Sequence, residues 1–189
     1  LDDDGSPIVA MVTRLVGHKG VDLVRSVAEG LIQQGMQLVV LGNGEHSYEA
    51  FFNDLAGRHP GRVGVYIGFV PPLARKIYAG ADIFLMPSKS EPCGLAQMVA
   101  CRYGTIPVVR ETGGLRDSIR DSGDGKGNGF TFQQYNAHDL YEACWRAKEG
   151  YWQKDGWAIL VKRAMQCDFS WGASARAYID MYEQVMNLW

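Results

Sequence analysis

The sequence predicts an α/β fold in which a parallel sheet carries helices on both faces. Short runs of β-branched and other apolar residues alternate with longer stretches whose apolar residues recur every three or four positions. Strict alternation of this kind is typical of a parallel sheet with crossover helices. The run Gln37–Gly42 is almost entirely apolar, which favours a strand buried on both faces. We therefore expect one Rossmann-like domain over residues 1–189, whose ligands bind where the strands end.

The first three elements follow from local pattern. Residues 7–14 are expected to form a strand, and a loop over 15–20 leads into a helix over 21–34. Gly35 is a typical helix stop, and Gln37–Gly42 is the second strand. The apolar residues that give the helix its spacing are Val21, Val24, Val27, Ala28 and Leu31.

The remaining elements repeat the alternation. Proline near a helix start and glycine after a helix end set several of the boundaries. The segment 122–129 holds four glycines and no apolar residue, so we expect an exposed loop. Further strands are expected at 63–68, 82–87, 106–110 and 129–132, and helices at 48–58, 71–79, 95–103 and 112–120, followed by three helices from 138 onward with breaks at 153–156 and 169–172.

Composition and charge exclude several classes of protein. The 189 residues are 47% hydrophobic and 21% charged, which is globular composition. Lys and Arg number 19 against 21 Asp and Glu, and this net charge of −2 argues against nucleic acid or anionic lipid as a partner. No apolar run reaches the ~18 residues of a membrane span. The chain begins with Leu1 and three aspartates, which is unlike a signal peptide, and it has no initiator methionine. We therefore expect it to be a piece of a longer chain.

The cysteines indicate an intracellular protein. No two of them have CxxC spacing, so neither a metal knuckle nor a redox motif is expected. We interpret them as reduced, mostly core-filling thiols of a cytoplasmic protein. They are Cys93, Cys101, Cys144 and Cys167.

Two cations follow the first predicted strand. Arg14 and Lys19 lie on one loop, and Gly20 opens the next helix. Arginine offers a planar fork for phosphate and lysine a mobile point charge, so the pair is a candidate phosphate site. The alternative is that both are solvated surface charges.

A second candidate site is the strand–loop–helix junction over residues 88–95. Helix N-termini present free amides and a positive dipole end, which suit an anion. Glu91 lies just outside the helix and is placed to accept hydrogen bonds from a polyol, or alternatively to cap the helix. Cys93 is either a reactive thiol or a small buried residue.

Two glycine-containing turns follow other strands. Thr112-Gly113-Gly114-Leu115 allows close backbone approach and a nest of amides for phosphate. The turn Gly42-Asn43-Gly44 would let a flat ring lie against the backbone. Neither turn is a GxGxxG fingerprint or a Walker A loop.

Other chemistries lack their motifs. The four histidines have neither HxxxH nor HExxH spacing, so no metal site is expected, and no GxSxG elbow occurs. Five aromatic residues fall among the last helices. They are either packing residues or a surface that stacks on carbohydrate: Tyr141, Trp145, Tyr151, Trp152 and Trp157.

Taken together, the loops resemble one known family. The run over 88–118, with EPCGL and TGGL at this spacing, resembles bacterial glycogen synthases and plant starch synthases, which are retaining glucosyltransferases of the GT-B fold. Arg14 followed by Lys19-Gly20 matches their phosphate loop. The related family 4 enzymes carry a second Glu where this chain has Val99, which favours the synthases. His18 departs from the family's pattern, in which Gln or a similar residue is frequent at this position. Further matches are YNAHD at 135–139 and DFSW at 168–171.

The resemblance implies a role for each matched residue. The chain would be the C-terminal half of a GT-B enzyme, which binds a nucleotide sugar, usually ADP-glucose, without a metal or other cofactor. Arg14 and Lys19 would bind the diphosphate, and Glu91 would hold glucose hydroxyls. The amides of Cys93, Gly94 and Leu95 would face the glucose, Thr112, Gly113, Gly114 and Leu115 would contact the distal phosphate, and Gly42, Asn43, Gly44 and Phe69 would lie near adenosine.

The resemblance also implies what this chain lacks. The family's N-terminal domain, with its Lys-x-Gly-Gly-Leu motif and its α-glucan acceptor site, has no counterpart before Leu1. We therefore expect a donor-binding domain that is inactive alone. A glucan-binding module and a transferase that uses a UDP-sugar stay open as alternatives. The last segment, 171–189, is expected to expose Met181, Val185 or Leu188.

Overall fold

A computed structural model describes residues 1–187 and shows one parallel six-stranded sheet. The strand order is β3-β2-β1-β4-β5-β6, which is the order of nucleotide-binding Rossmann sheets. The strands are β1 (Ile8–Val12), β2 (Gln37–Gly42), β3 (Val63–Ile67), β4 (Ile83–Met86), β5 (Ile106–Arg110) and β6 (Phe130–Phe132). The helices are α1 (Val21–Gln33), α2 (His46–Arg58), α3 (Pro71–Gly80), α4 (Ala96–Tyr103), α5 (Gly113–Ser118), α6 (Ala137–Trp152), α7 (Lys154–Met165) and α8 (Trp171–Met186).

Helices cover both faces of the sheet, as the sequence predicts. Alternate residues of a strand point to opposite faces. Val9 and Met11 of β1 therefore join a large buried cluster with α1, α2 and α6, whereas Ala10 joins a smaller cluster. In that smaller cluster Phe84 of β4 stacks on Tyr78 of α3, with ring centroids 4.8 Å apart. Both faces are buried along the central strands β1 and β4, whose residues are all apolar.

The predicted loop over 122–129 is exposed only in its first part. A 3-10 turn spans Ser122–Asp124, and the following Gly127 to Gly129 are buried. The Asn128 side chain donates to the Ser118 carbonyl (3.0 Å) and accepts from the Arg120 amide (2.8 Å). Internal hydrogen bonds let this polar segment pack inside, so the expectation of a wholly exposed loop is wrong.

The C-terminal helices differ from expectation mainly at their breaks. Gln153 alone separates α6 from α7, and the second break falls at 166–170, where the Ser170 hydroxyl caps α8. No residue of α8 is buried, and Met181 and Val185 are exposed as expected. Leu188 lies outside the described residues. Within residues 1–187 no helix combines the length and apolar character needed to cross a membrane.

The tail aromatics and the cysteines divide between core and surface. Cys101 and Cys144 are buried as expected, and Cys167 is partly buried. Of the five aromatics, Trp157 is buried and Tyr141 and Tyr151 are partly buried, whereas Trp145 and Trp152 are exposed. The packing interpretation therefore holds for only part of the set.

Asp121 fastens the start of β6 to α6. Its carboxylate accepts from the amides of Gly123 (2.9 Å) and Thr131 (2.8 Å), and from Arg146 (2.9 Å). Burial by itself would raise the pKa of Asp121, but these hydrogen bonds outweigh it and hold the pKa below its ordinary value. The carboxylate therefore stabilises the fold when it is ionised.

Replacing Asp121 by asparagine is expected to lower the melting temperature at neutral pH. Because the pKa is lower in the folded state, this stabilisation is present at neutral pH and is lost as the pH falls through the folded-state pKa, below about pH 4. Thermal unfolding at a series of pH values should show the gap between wild type and Asp121→Asn closing in acid. Asp155→Asn, on the exposed start of α7, is the control, and a gap independent of pH would contradict the assignment.

Candidate functional site

Three of the predicted loops meet at the carboxyl edge of the sheet. β1 lies between β2 and β4. From the end of β1 the chain turns toward β2, and from the end of β4 it turns toward β5, so a crevice opens between these two strand ends. The Lys89 amide, after β4, donates to the carbonyl of His18, after β1 (2.9 Å). The Gly114 amide, after β5, donates to the Glu91 carbonyl (3.0 Å). Backbone hydrogen bonds thus join segments that are far apart in the sequence.

Lys19 and Glu91 form an ion pair at the centre of this crevice. Lys19 Nζ lies 2.6 Å from Glu91 Oε2, and the Ser88 hydroxyl donates to the same oxygen (3.1 Å). Glu91 is only 8% exposed, and the Lys19 side chain 19%. The interpretation of Lys19 as a solvated charge is therefore wrong. The Glu91 carboxylate has Lys19 and Ser88 as partners rather than the amides of α4.

Arg14 is the exposed cation of the site. Its Nη2 lies 3.3 Å from Nε2 of His18, which is a neutral partner when unprotonated. Among residues 1–187 no carboxylate pairs with Arg14. Its positive charge is therefore available to an anion, and its role as a phosphate ligand stays a prediction.

Two cavities adjoin at the end of β1 and share Val12 and Thr13. The first, which we call the apolar cavity, has a volume of about 200 Å³ and lies between the ends of β1 and β2 and the start of α3. The second, the polar cavity, has a volume of about 110 Å³ and lies between β1 and the loop after β4. Arg14 lines the first cavity, and Lys19 and Glu91 line the second.

Three of the residues expected near a nucleoside line the apolar cavity. These are Gly42, Asn43 and Phe69, whose ring is 86% exposed. Gly42 leaves no room for a side chain, because a Cβ there would lie 1.9 Å from the Thr13 carbonyl oxygen. Gly44 is placed elsewhere: its amide donates to Glu49 Oε1 (2.8 Å).

The loop before α4 reaches the polar cavity with Gly94 and Leu95. Cys93 is exposed, so its interpretation as a small buried residue is wrong. The close packing at this position involves its backbone, because Gly114 lies against the Cys93 carbonyl. The thiol is thereby left on the surface of the loop.

The Thr112–Leu115 turn offers fewer amides than the sequence suggests. The Gly114 amide donates to the carbonyls of Glu91 and Pro92, and the Leu115 amide donates to Thr112. Gly113 adopts a left-handed conformation against Glu91, and the Leu115 side chain is fully buried. The Thr112 side chain makes no capping hydrogen bond, so its hydroxyl is available to a ligand.

Gln97 holds the loop before α4, a role that sequence reasoning missed. Its Nε2 donates to the carbonyls of Cys93 (3.2 Å) and Gly94 (2.9 Å) and to the Ser118 hydroxyl (3.1 Å). The side chain is buried. A polar residue on the buried face of a predicted helix is the signal that could have identified it.

Tyr135 holds the loop after β1 from the other side. Its hydroxyl donates to Asp22 Oδ1 (2.6 Å) and lies 3.2 Å from the Gly17 carbonyl oxygen. Burial and the hydrogen bond to Asp22 raise the pKa of Tyr135. The Arg110 guanidinium lies 5.5 Å from the centre of its ring and donates to the Lys89 carbonyl (2.8 Å). The sequence offered Tyr135 only as part of a matched motif.

The residues present form no evident metal centre. Within residues 1–187 no three His, Cys, Asp or Glu side chains are grouped so that they could hold a metal ion. The cations that line the two cavities are Arg14, which pairs with no carboxylate of the described residues, and Lys19, whose charge is balanced by Glu91.

Comparison with known proteins agrees with this geometry. A family model described as "Glycosyl transferases group 1" matches residues 1–153. The chain is 52% identical over 186 residues to a glycogen synthase of Geobacillus thermodenitrificans, and 50% identical over 188 residues to one of Bacillus cereus. These alignments cover 97% and 98% of the chain but only 38% and 40% of the two relatives, so the chain spans about two fifths of their length.

Solved structures show the same fold. The catalytic domain of starch synthase IV from Arabidopsis thaliana, bound to ADP and acarbose, superposes with a TM-score of 0.88 at 37% identity, over 97% of this chain and 40% of that one. A sucrose-phosphate synthase from Thermosynechococcus elongatus, 22% identical, superposes with a TM-score of 0.70 over 100% of this chain and 47% of that one, and shows the fold alone. The predicted Rossmann-like sheet of the GT-B class and the predicted resemblance to glycogen and starch synthases are confirmed. With a Rossmann-ordered sheet, a cationic crevice at its switch point and a family match over 153 residues, the chain belongs to the glycosyl transferases group 1 family.

Proposed function

We propose that this chain is the donor-binding half of a retaining α-1,4-glucosyltransferase that moves glucose from ADP-glucose to the non-reducing end of an α-glucan. The observation that carries the proposal is the pair of adjoining cavities, one apolar and one holding the Lys19–Glu91 pair. The apolar cavity suits a nucleoside base, and the polar cavity suits a sugar. Arg14 and Lys19 stand at the two cavities, where the diphosphate would join base to sugar.

The proposed chemistry rests on charge that develops as ADP leaves. The diphosphate gains negative charge as the bond to the anomeric carbon breaks, and two fixed cations stabilise it in a site that excludes part of the water. Glu91 is held by Ser88 and by Lys19, which orients its carboxylate for glucose hydroxyls. The Thr112 hydroxyl and the turn before α5 would contact the distal phosphate. We propose no cofactor besides the donor, because Arg14 and Lys19 supply the positive charge.

The relatives support the choice of substrates. The curated relatives are named glycogen synthases, and the Arabidopsis structure holds ADP together with acarbose. We propose accordingly that a nucleotide sugar binds this chain directly, that the glucan acceptor is held mainly by a further domain of the whole protein, and that the protein works in the cytoplasm. The alternative donor, a UDP-sugar, differs only in the base, which the apolar cavity would contact.

Calorimetric titration of the 189-residue chain with ADP and with UDP tests the proposal. We expect saturable binding of ADP, tighter than that of UDP. Arg14→Ala should weaken ADP binding by about 1–3 kcal/mol, as for the loss of a charged hydrogen bond. Arg102→Ala, which removes an exposed cation at the other end of α4, is the control and should bind like wild type. Absence of heat at millimolar ADP, or equal affinities for Arg14→Ala and wild type, would contradict the donor site.

A further inference from the structure

The largest of the described cavities lies away from the donor crevice. It has a volume of about 490 Å³ and lies between α6, α7 and the 3-10 turn over Ser122–Asp124; we call it the edge cavity. Phe130, the first residue of β6, and Gly150, near the end of α6, both line it. β6 begins at this cavity, and α6, which runs back along the sheet, ends near it. The edge cavity therefore lies toward the amino ends of the strands, opposite the donor crevice.

Aromatic side chains form its floor and one wall. Trp157 is 9% exposed and Phe130 is buried, so these two rings form an apolar floor. Trp145 is 42% exposed and lines the same cavity. Tyr151 packs edge-to-face against Trp157, with ring centroids 5.6 Å apart. An exposed indole in a cavity that two buried aromatic rings also line is an apolar platform for a flat, partly apolar ligand.

The polar groups of the edge cavity suit an uncharged ligand. Arg146 lines it, but its guanidinium is neutralised by Asp121, with Nη1 2.9 Å from both carboxylate oxygens. Arg163 also lines it and donates to the carbonyl of Gly125, while its buried Nε has no partner among the described residues and can donate to a ligand oxygen. Glu149 adds a carboxylate, whose nearest cation is Lys148 at 3.5 Å. An anion would therefore face the carboxylate of Glu149, whereas an uncharged hydroxyl can accept a hydrogen bond from Arg163 without that repulsion.

A polyol fits this combination better than an ion does. The C–H faces of a pyranose ring pack against indole, while its hydroxyls need donors and acceptors at the rim. Glu149, Gln153 and Ser122 supply such groups around Trp145. The volume lies within the range of about 300–1,000 Å³ that small-ligand sites occupy.

We propose that the edge cavity is a second carbohydrate site, which binds internal glucose units of an α-glucan with Trp145 as its stacking platform. The choice of glucan rests on the proposed function, since a glucosyltransferase of this kind works on a polymer. The site lies at the opposite end of the sheet from the donor crevice, so it would hold the polymer rather than its reacting end. Such a second contact raises the effective concentration of glucan ends near the enzyme.

Affinity electrophoresis of the 189-residue chain in native gels containing glycogen tests the proposal. Wild type is expected to be retarded, and Trp145→Ala should weaken the apparent affinity about fivefold or more, as for loss of a central aromatic anchor. Trp152→Ala is the matched control, because Trp152 is 51% exposed on the same helix but contacts Tyr151 and Lys154 instead of the cavity. Soluble β-cyclodextrin should reverse the retardation of wild type, and saturating ADP should leave it unchanged.

The outcomes separate this inference from the proposed function. Unretarded wild type, equal retardation of wild type and Trp145→Ala, or retardation abolished by ADP would overturn the second site. Calorimetric ADP binding by the same samples reports on the donor crevice alone, and Trp145→Ala should keep it. That measurement also shows that the variant is folded. Failure of wild type to bind ADP would contradict the proposed function, whereas retardation in the glycogen gels would still test the second carbohydrate site.

Discussion

Replacing Lys19 by methionine is expected both to destabilise the fold and to abolish measurable binding of ADP. The substitution keeps the unbranched stem of the side chain without its ammonium group, and leaves the Glu91 carboxylate buried beside Ser88 without its cation. Removing one partner of a fully buried ion pair costs about 3–5 kcal/mol, and we expect a somewhat smaller loss here because the Lys19 side chain is 19% exposed. Chemical denaturation should show this loss in the free energy of unfolding, and calorimetry should show the loss of nucleotide affinity.

A double variant separates the two effects. Lys19→Met combined with Glu91→Gln removes the uncompensated charge, so most of the stability should return. Affinity for ADP should stay low, because the cation is still missing. If the single Lys19→Met variant is as stable as wild type, the Lys19–Glu91 pair is not the buried element described above. If the double variant binds ADP like wild type, Lys19 does not contact the diphosphate.

The second large effect is expected at Gly114. A Cβ on this residue would lie 2.0 Å from the carbonyl oxygen of Cys93, and the clash is with backbone rather than with a movable side chain. Gly114→Ala must therefore push the first turn of α5 away from the loop before α4. Forcing extra atoms into a tightly packed contact costs about 1–3 kcal/mol. ADP affinity should fall with stability, because the two loops would no longer be held together.

A matched glycine substitution controls for backbone entropy. Gly57 lies within α2, and a Cβ there would meet no atom within 4 Å. Gly57→Ala should raise stability by up to about 1 kcal/mol, because alanine is the better helix former. In thermal unfolding, the melting temperature of Gly57→Ala should therefore rise and that of Gly114→Ala should fall. A Gly114→Ala variant that melts at or above the wild-type temperature would refute the close contact between the loops.

Local pattern was sufficient for most of the fold. The predicted strand bounds at Gln37–Gly42 and Ile106–Arg110 match the structure. These runs are mostly apolar and contain a glycine or a proline, so the signal lies within a few consecutive residues. Errors arose where polar residues are buried through hydrogen bonds, as at Asn128, because composition alone indicates exposure there.

The candidate site was predictable in its residues but not in its contacts. The resemblance to a family singled out Arg14, Lys19 and Glu91 before any geometry was known. It could not show that Lys19 and Glu91, 72 positions apart, neutralise each other in the free chain. Nor could it assign Gln97, whose importance lies in holding two carbonyls of a neighbouring loop.

The aromatic residues of the last helices show the same limit. Trp145 and Trp157 both fall at positions with helical spacing, yet Trp157 is buried and Trp145 stands exposed beside a cavity. Periodicity shows on which side of a helix a residue lies, but it does not show which other segments of the chain cover that side.

The sequence by itself determined the order of strands and helices, the near-neutral charge and the loops that carry the cations. Those properties depend on residues close together in the chain. Only the tertiary structure decided that Lys19 is buried against Glu91, that Cys93 is exposed and that the edge cavity opens beside Trp145. These depend on which distant segments pack against each other, and the parallel sheet sets that by joining strands through long crossovers.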